Sequence, residues 1–288
     1  MLQILVNSII SGLILAMVAV GFHIIFKATG IFHIAHGGIY VAGAYFFYWI
    51  SPLIGIIIGL LITIVFSILL GLIIEKIVYR PLSRKANSVN ITLISSLGVY
   101  IIMVNLIALV AGNETKLLSN EISESISLGN IILTRPQFYQ VLFSVPVLCL
   151  FIAFLFNSGI GLKIRAVSNN PLLARVVGIK IQKIRYFVFG SGSMMAVLAS
   201  ILRTYDTGID PYSGMTITLS SAVVVIIGGA YSIYGTVIAA FLLAIIQNYT
   251  EYFLSAQWKD PVTFAALILI LLWRTEGILQ FNNRVDER

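Results

Sequence analysis

The chain has 288 residues, of which 59% are hydrophobic and only 10% charged, with a formal net charge of +7. Soluble domains carry about 25% charged residues because they need a solvated shell, so this composition excludes a soluble fold. The apolar runs are continuous rather than alternating, which also excludes an outer-membrane barrel and leaves an all-α, polytopic helical membrane protein.

In chain order, the first run, 4–26, lacks the basic residues that precede the core of an export signal and reads as a permanent span. It carries Asn7, Ser8 and Ser11 along one stripe. The second, 31–50, holds His33, His36 and Tyr40 near its start, with Gly37 and Gly38 leaving room for a close helix neighbour. The third and fourth, 53–79 and 91–112, match or exceed the roughly 20 apolar residues needed to cross a bilayer. The polar loop Asn113–Gln137 follows, with an acidic stretch at 119–124. The fifth run, 138–156, contains the single cysteine, Cys149, so neither a disulfide nor a cysteine cluster is expected. The three histidines are too few and too mixed in setting for a metal site. After the loop 157–183 come 186–202, 216–228, 234–255 and 262–274, for nine candidate crossings. The seventh is only about 20 Å long at helical rise and ends on Gly228, Gly229 and Gly235, which suits a broken or re-entrant helix. Ser220, Ser221, Gln247, Asn248 and Glu251 gather in the late spans.

Lys76, Arg80, Arg84, Lys85 and the basic residues of 163–185 fall on one side, and most acids, among them Glu114, Glu121, Glu124, Asp206 and Asp210, on the other. Because Lys and Arg stay on the cytoplasmic face, the N-terminus is expected outside and the C-terminus inside. The basic balance is thereby topology, and nucleic acid need not be invoked. No loop is long enough for a folded domain, so a single transmembrane domain, 1–288, is expected, with the inner loop 157–185 as a part of it.

Within that loop, Asn170 is placed to cap a short helix, Pro171 to open it and Gly178 to end it in the left-handed conformation. About two turns are too few to be stable alone. Leu172, Leu173, Val176 and Val177 make one apolar stripe framed by Arg165, Arg175, Lys180, Lys183 and Arg185. Such a ridge suits a groove on an acidic-rimmed partner, or equally a connector lying on lipid headgroups.

The run Arg165-Ala166-Val167-Ser168-Asn169-Asn170-Pro171, followed by Ala174-Arg175 and Gly178-Ile179, resembles the cytoplasmic coupling loop of ABC importer permeases for branched-chain amino acids. Residues Gly21 to Gly37, closing on Ala35-His36-Gly37, are similar to that family's first segment. Tyr79-Arg80-Pro81-Leu82, Val225 to Gly229 and Lys259-Asp260 with Trp273-Arg274 match further landmarks in order. The family's Asn-Phe before Ala-His-Gly is His33-Ile34 here, and its Arg-Pro after the last span is Arg274-Thr275.

The resemblance implies a permease subunit of an ATP-driven importer in the bacterial inner membrane. It implies a second permease subunit that is a different, sister chain, two ATP-binding subunits and an extracytoplasmic binding protein that delivers leucine, isoleucine or valine. Coupling then falls to Arg165, Asn170, Pro171, Leu172, Leu173, Arg175, Val176 and Gly178. The chain has no phosphate-cradling glycine-lysine loop, so no cofactor is expected on it, ATP is left to the other subunits, and no catalytic residue is expected. Candidate lining residues of the path are Asn7, Ser11, His33, His36, Gly37, Ser220, Gln247 and Asn248, since polar groups at membrane depth face protein or water. Helix packing explains each of them as well, and His36 suits a neutral imidazole that donates to a backbone carbonyl at a glycine-rich break. Glu114, Glu121, Glu124, Asp206 and Asp210 are candidates for docking the binding protein, or ordinary solvated loop charges. Import of urea or short amides is the nearest alternative function, and a stand-alone secondary transporter a more distant one that lacks the deep charges it needs.

Overall fold

The computed structural model describes residues 1–83, 88–118, 125–128, 131–230, 232–274 and 277–278. Arg84, Lys85, the acidic stretch 119–124 with Glu121 and Glu124, and most of the charged tail lie outside the described residues.

Among the described residues, eight helices are long and apolar enough to cross a membrane, and a ninth apolar helix is shorter. The order begins α1 (Leu2–Thr29), α2 (Ala35–Ile54), α3 (Ile56–Ile74), a π-helical turn (Glu75–Tyr79), α4 (Arg80–Leu82) and α5 (Ser88–Ala111). It continues with α6 (Arg135–Asn157), α7 (Gly159–Asn169), α8 (Pro171–Val176), α9 (Ile181–Thr207), α10 (Ser213–Gly228), α11 (Ile233–Phe253) and α12 (Lys259–Trp273). The expectation of helix alone misses one feature, because strands β1 (Ser125–Leu128) and β2 (Ile131–Thr134) pair antiparallel in the loop before α6. The seventh expected span is α10, 16 residues ending at Gly228 and Gly229.

Local chemistry sets the boundaries. Gly30, at φ +67°, ends α1, and its N–H returns to the Phe26 carbonyl. Gly55, at φ +85°, turns α2 into α3. Thr134 opens α6 with a reciprocal cap, accepting from the Gln137 N–H while the Gln137 side chain accepts from the Thr134 N–H. Ser158 and Ser232 cap α7 and α11. The expected second span starts four residues late: 31–34 are not helical, which puts His33 in the connector.

The outer face is apolar and the interior combines a large apolar core with buried polar groups, because hydrocarbon outside rewards apolar side chains and leaves polar ones to find partners within. Helix α1 is the axis, packed most extensively on α11 and α9. His23, His33, His36 and Glu75 are fully buried, whereas Leu109 and Trp273 are more than four-fifths exposed. Small residues bring the inner helices into backbone contact: Gly21 of α1 on Gly192 of α9, and Gly37 of α2 on Gly214 of α10.

Candidate functional site

A cavity of about 630 Å³ opens at one end of the bundle. Its walls are the starts of α1, α6, α10 and α12, the ends of α9 and α11, and Tyr40 of α2. Five expected lining residues meet there: Asn7, Ser11, Ser220, Gln247 and Asn248. Four of them also bridge helices. Gln247 Nε2 donates to Thr263 Oγ1 at 2.8 Å and to Ser220 Oγ at 3.4 Å, and Asn248 Nδ2 donates to the Ala244 carbonyl at 2.8 Å and to Ser11 Oγ at 3.5 Å. Lining and packing are therefore one arrangement, in which amide donors spent on neighbouring helices hold the polar faces toward the void.

The other three expected lining residues are elsewhere. Gly37 is pressed on the Gly214 backbone, and His33 and His36 are fully buried. His36 Nε2 lies 3.3 Å from the Val18 carbonyl of α1, the contact expected of a neutral imidazole there. His33 Nδ1 lies 2.8 Å from the Tyr79 hydroxyl, which donates to Ser96 Oγ at 2.7 Å, and Ser96 Oγ accepts from the Ala35 N–H at 3.0 Å. With the Tyr79 proton on Ser96, the phenol oxygen is left to accept from His33 Nδ1–H. These residues tie the start of α2 to the π turn and to α5, where burial without partners would cost several kcal/mol per group.

The π turn is also anchored on the other side. Glu75, with no exposure, takes a two-pronged ion pair from Arg185 of α9, Nε at 2.6 Å and Nη2 at 2.9 Å, and a bond from Gln182 Nε2 at 3.3 Å. Arg80 Nη1 donates to the Tyr186 hydroxyl at 3.1 Å.

At the opposite end from the cavity, the chain between α7 and α9 forms an exposed hairpin. Asn170 Oδ1 accepts from the N–H groups of Leu172 and Leu173, both at 3.0 Å, Pro171 opens the six-residue α8, and Gly178 at φ +86° closes it. Ala174 faces the bundle and is buried, which turns Leu172, Leu173, Arg175, Val176 and Val177 outward, all exposed. Two of the basic residues expected to frame this ridge are used inward instead. Arg185 holds Glu75, and Arg165 Nη1 donates to the Leu155 carbonyl at 2.7 Å while its guanidinium lies 5.7 Å from the Phe156 ring centroid. Arg165 thus caps the last carbonyls of α6 and fixes the angle of α7. Helix α7, itself not anticipated, seats Gly161, Ile164 and Val167 on the bundle and carries the hairpin.

Sequence reasoning also missed cavity residues. Gln137, Gln140 and Arg203 line the void, and Asp206 and Asp210, read as docking candidates or solvated loop charges, face it as well, as does Tyr40. The available signal was the i, i+3 spacing of Arg203 and Asp206 at the end of a span, which puts both on one helix face. Among the described residues, no group of three His, Cys, Asp or Glu side chains is arranged to hold a metal.

The family model "Branched-chain amino acid transport system / permease component" matches residues 4–271. The chain is 29% identical to the high-affinity branched-chain amino acid transport system permease protein LivH of Escherichia coli (strain K12), over 96% of this chain and 95% of that one. It is 27% identical to the corresponding protein BraD of Pseudomonas aeruginosa, over 96% and 95%. A probable branched-chain amino acid permease of Methanocaldococcus jannaschii is 26% identical over 88% of this chain and 82% of that protein. Among solved structures, PsaBC from Streptococcus pneumoniae in complex with Fab gives a TM-score of 0.49 at 14% identity, covering 92% of this chain and 89% of that one.

Proposed function

The chain belongs to the branched-chain amino acid transport system permease family, and on that premise we propose that it is the membrane subunit through which an ATP-driven importer passes leucine, isoleucine and valine. The observation that carries this reading is the family match across residues 4–271. The single membrane domain, 1–288, sits in the bacterial inner membrane with its N-terminus outside and its C-terminus in the cytoplasm. It pairs with a second, related permease chain, receives substrate from an extracytoplasmic binding protein, and is driven by two ATP-binding subunits that supply all the ATP chemistry. No catalysis and no cofactor belong to this chain.

The geometry supports a division of labour. The hairpin within 157–185 is the coupling element: Leu172, Leu173, Arg175 and Val176 dock in a groove of the ATPase, while Asn170, Pro171, Gly178 and Arg165 give the hairpin its shape and angle. An exposed ridge of this kind has a large apolar area to bury on a partner. The cavity end admits substrate, with Asn7, Ser11, Ser220, Gln247 and Asn248 on the route. His33, His36 and Gly37, on the next helix layer, hold the framework of that route rather than its surface.

Reconstitution with the partner subunits tests the function. Radiolabelled leucine is taken up on ATP addition and urea is not, and uptake of urea alone would overturn the substrate class. In the same assay Leu173→Asp and Arg175→Glu abolish ATP-driven uptake while the permease still inserts. Full transport by both variants would remove the coupling role from α8.

A further inference from the structure

The cavity has one pair of opposite charges that closes no ion pair among the described residues. Glu251 is ion-paired with Lys259. The Asp210 carboxylate accepts from the N–H groups of Tyr212 and Ser213 at 2.9 and 3.0 Å and shapes the entry to α10. Asp260 sits in the first turn of α12, where it complements the helix dipole. Arg203 and Asp206 remain. Asp206 is half-buried and held by Thr134 Oγ1 at 3.4 Å and by the side chains of Gln140 and Gln137, and among the described residues Arg203 forms no ion pair. They lie one turn apart on the cavity face of α9, roughly 5–6 Å between Cβ atoms. Apolar residues Ile10, Ile14, Leu15 and Ile217 line the same void.

We propose that this cavity is a recognition site within the permease for an aliphatic amino acid zwitterion, with the α-carboxylate on Arg203, the α-ammonium on Asp206 and the branched side chain against Ile10, Ile14, Leu15 and Ile217. The inference rests on the proposed import of branched-chain amino acids and adds to it: the subunit itself reads the substrate. The guanidinium fork matches a carboxylate with two parallel hydrogen bonds. A carboxylate one turn away on the same helix face supplies the opposite sign for the ammonium. An uncharged small amide would leave both charges unanswered, and leaving such groups desolvated and unpaired is what rejects the wrong ligand.

The test uses the reconstituted importer with Thr216→Cys, at the exposed rim of the cavity, in a Cys149→Ser background that removes the chain's own exposed thiol. Millimolar L-leucine slows maleimide labelling of that cysteine, whereas leucine amide, which lacks the carboxylate, and 4-methylpentanoate, which lacks the ammonium, protect at least tenfold more weakly. Arg203→Gln removes protection and raises the KM for leucine uptake at saturating binding protein by at least tenfold, and Arg203→Lys restores part of both. Labelling without ligand at the parental rate shows that the cavity is intact in each variant. Equal protection by all three compounds, or none by leucine in a complex that still imports it, overturns the site and leaves the import function standing. A complex that imports urea and no branched-chain amino acid overturns both.

Discussion

Gly37 illustrates how one residue can matter to a path it does not line. A methyl group at this position would collide with the Gly214 carbonyl oxygen and Thr218 Oγ1, and the backbone partner cannot rotate away as a side chain could. Overpacking of this kind costs about 1–3 kcal/mol. Gly37→Ala is therefore expected to lower the melting temperature of the purified permease in detergent, and an unchanged transition would show that α2 and α10 are free to separate. Gly98, around which nothing lies within 4 Å, gives a control with the same chemistry and little expected effect. The glycine at 37 was legible as a packing residue from its small-residue surroundings. Its partner Gly214 was not, because nothing local links positions 177 residues apart.

Between α3 and α4 the π-helical turn joins two systems that the sequence lists far apart. Glu75 and Tyr79 lie at its two ends, one bonded to Arg185 at the start of α9 and the other to His33 ahead of α2. Since α9 follows directly on the exposed hairpin, the ion pair, with the Gln182 bond beside it, is a polar link between that end of the molecule and the core. Removing one member of a buried pair strands the other charge and costs about 3–5 kcal/mol, whereas exchanging both for apolar residues of similar size is often neutral. The expected pattern is a large loss of thermal stability for Glu75→Leu and for Arg185→Met singly, and recovery in the double variant. Single losses that simply add would mean that the pair has no mutual contribution. Uptake by a stable double variant would then report whether the link matters to coupling as well as to folding.

At the scale of the whole molecule, α9 separates hairpin from cavity by its 27 residues, about 40 Å at 1.5 Å per residue. With Cys149→Ser as background, an impermeant maleimide is expected to reach Thr207→Cys from outside intact cells and Val176→Cys only from the cytoplasmic side. The reverse accessibility would invert the topology and with it the assignment of the hairpin. The membrane class, the spans, the short α10 and the capped turn of α8 were legible in the sequence because each depends on local physics: apolar length against bilayer thickness, or a cap and a glycine at fixed offsets. The connector 31–34 and the amphipathic α7 were less so, since both are short and take their form from what they pack against. Which polar residues share a void, and which cations point inward, was settled only by tertiary structure. Arg165 and Arg185 look like any other basic loop residues until the carbonyls of α6 and the carboxylate of Glu75 are placed beside them, because partnership in a low-dielectric interior is fixed by helix packing between positions remote in the chain.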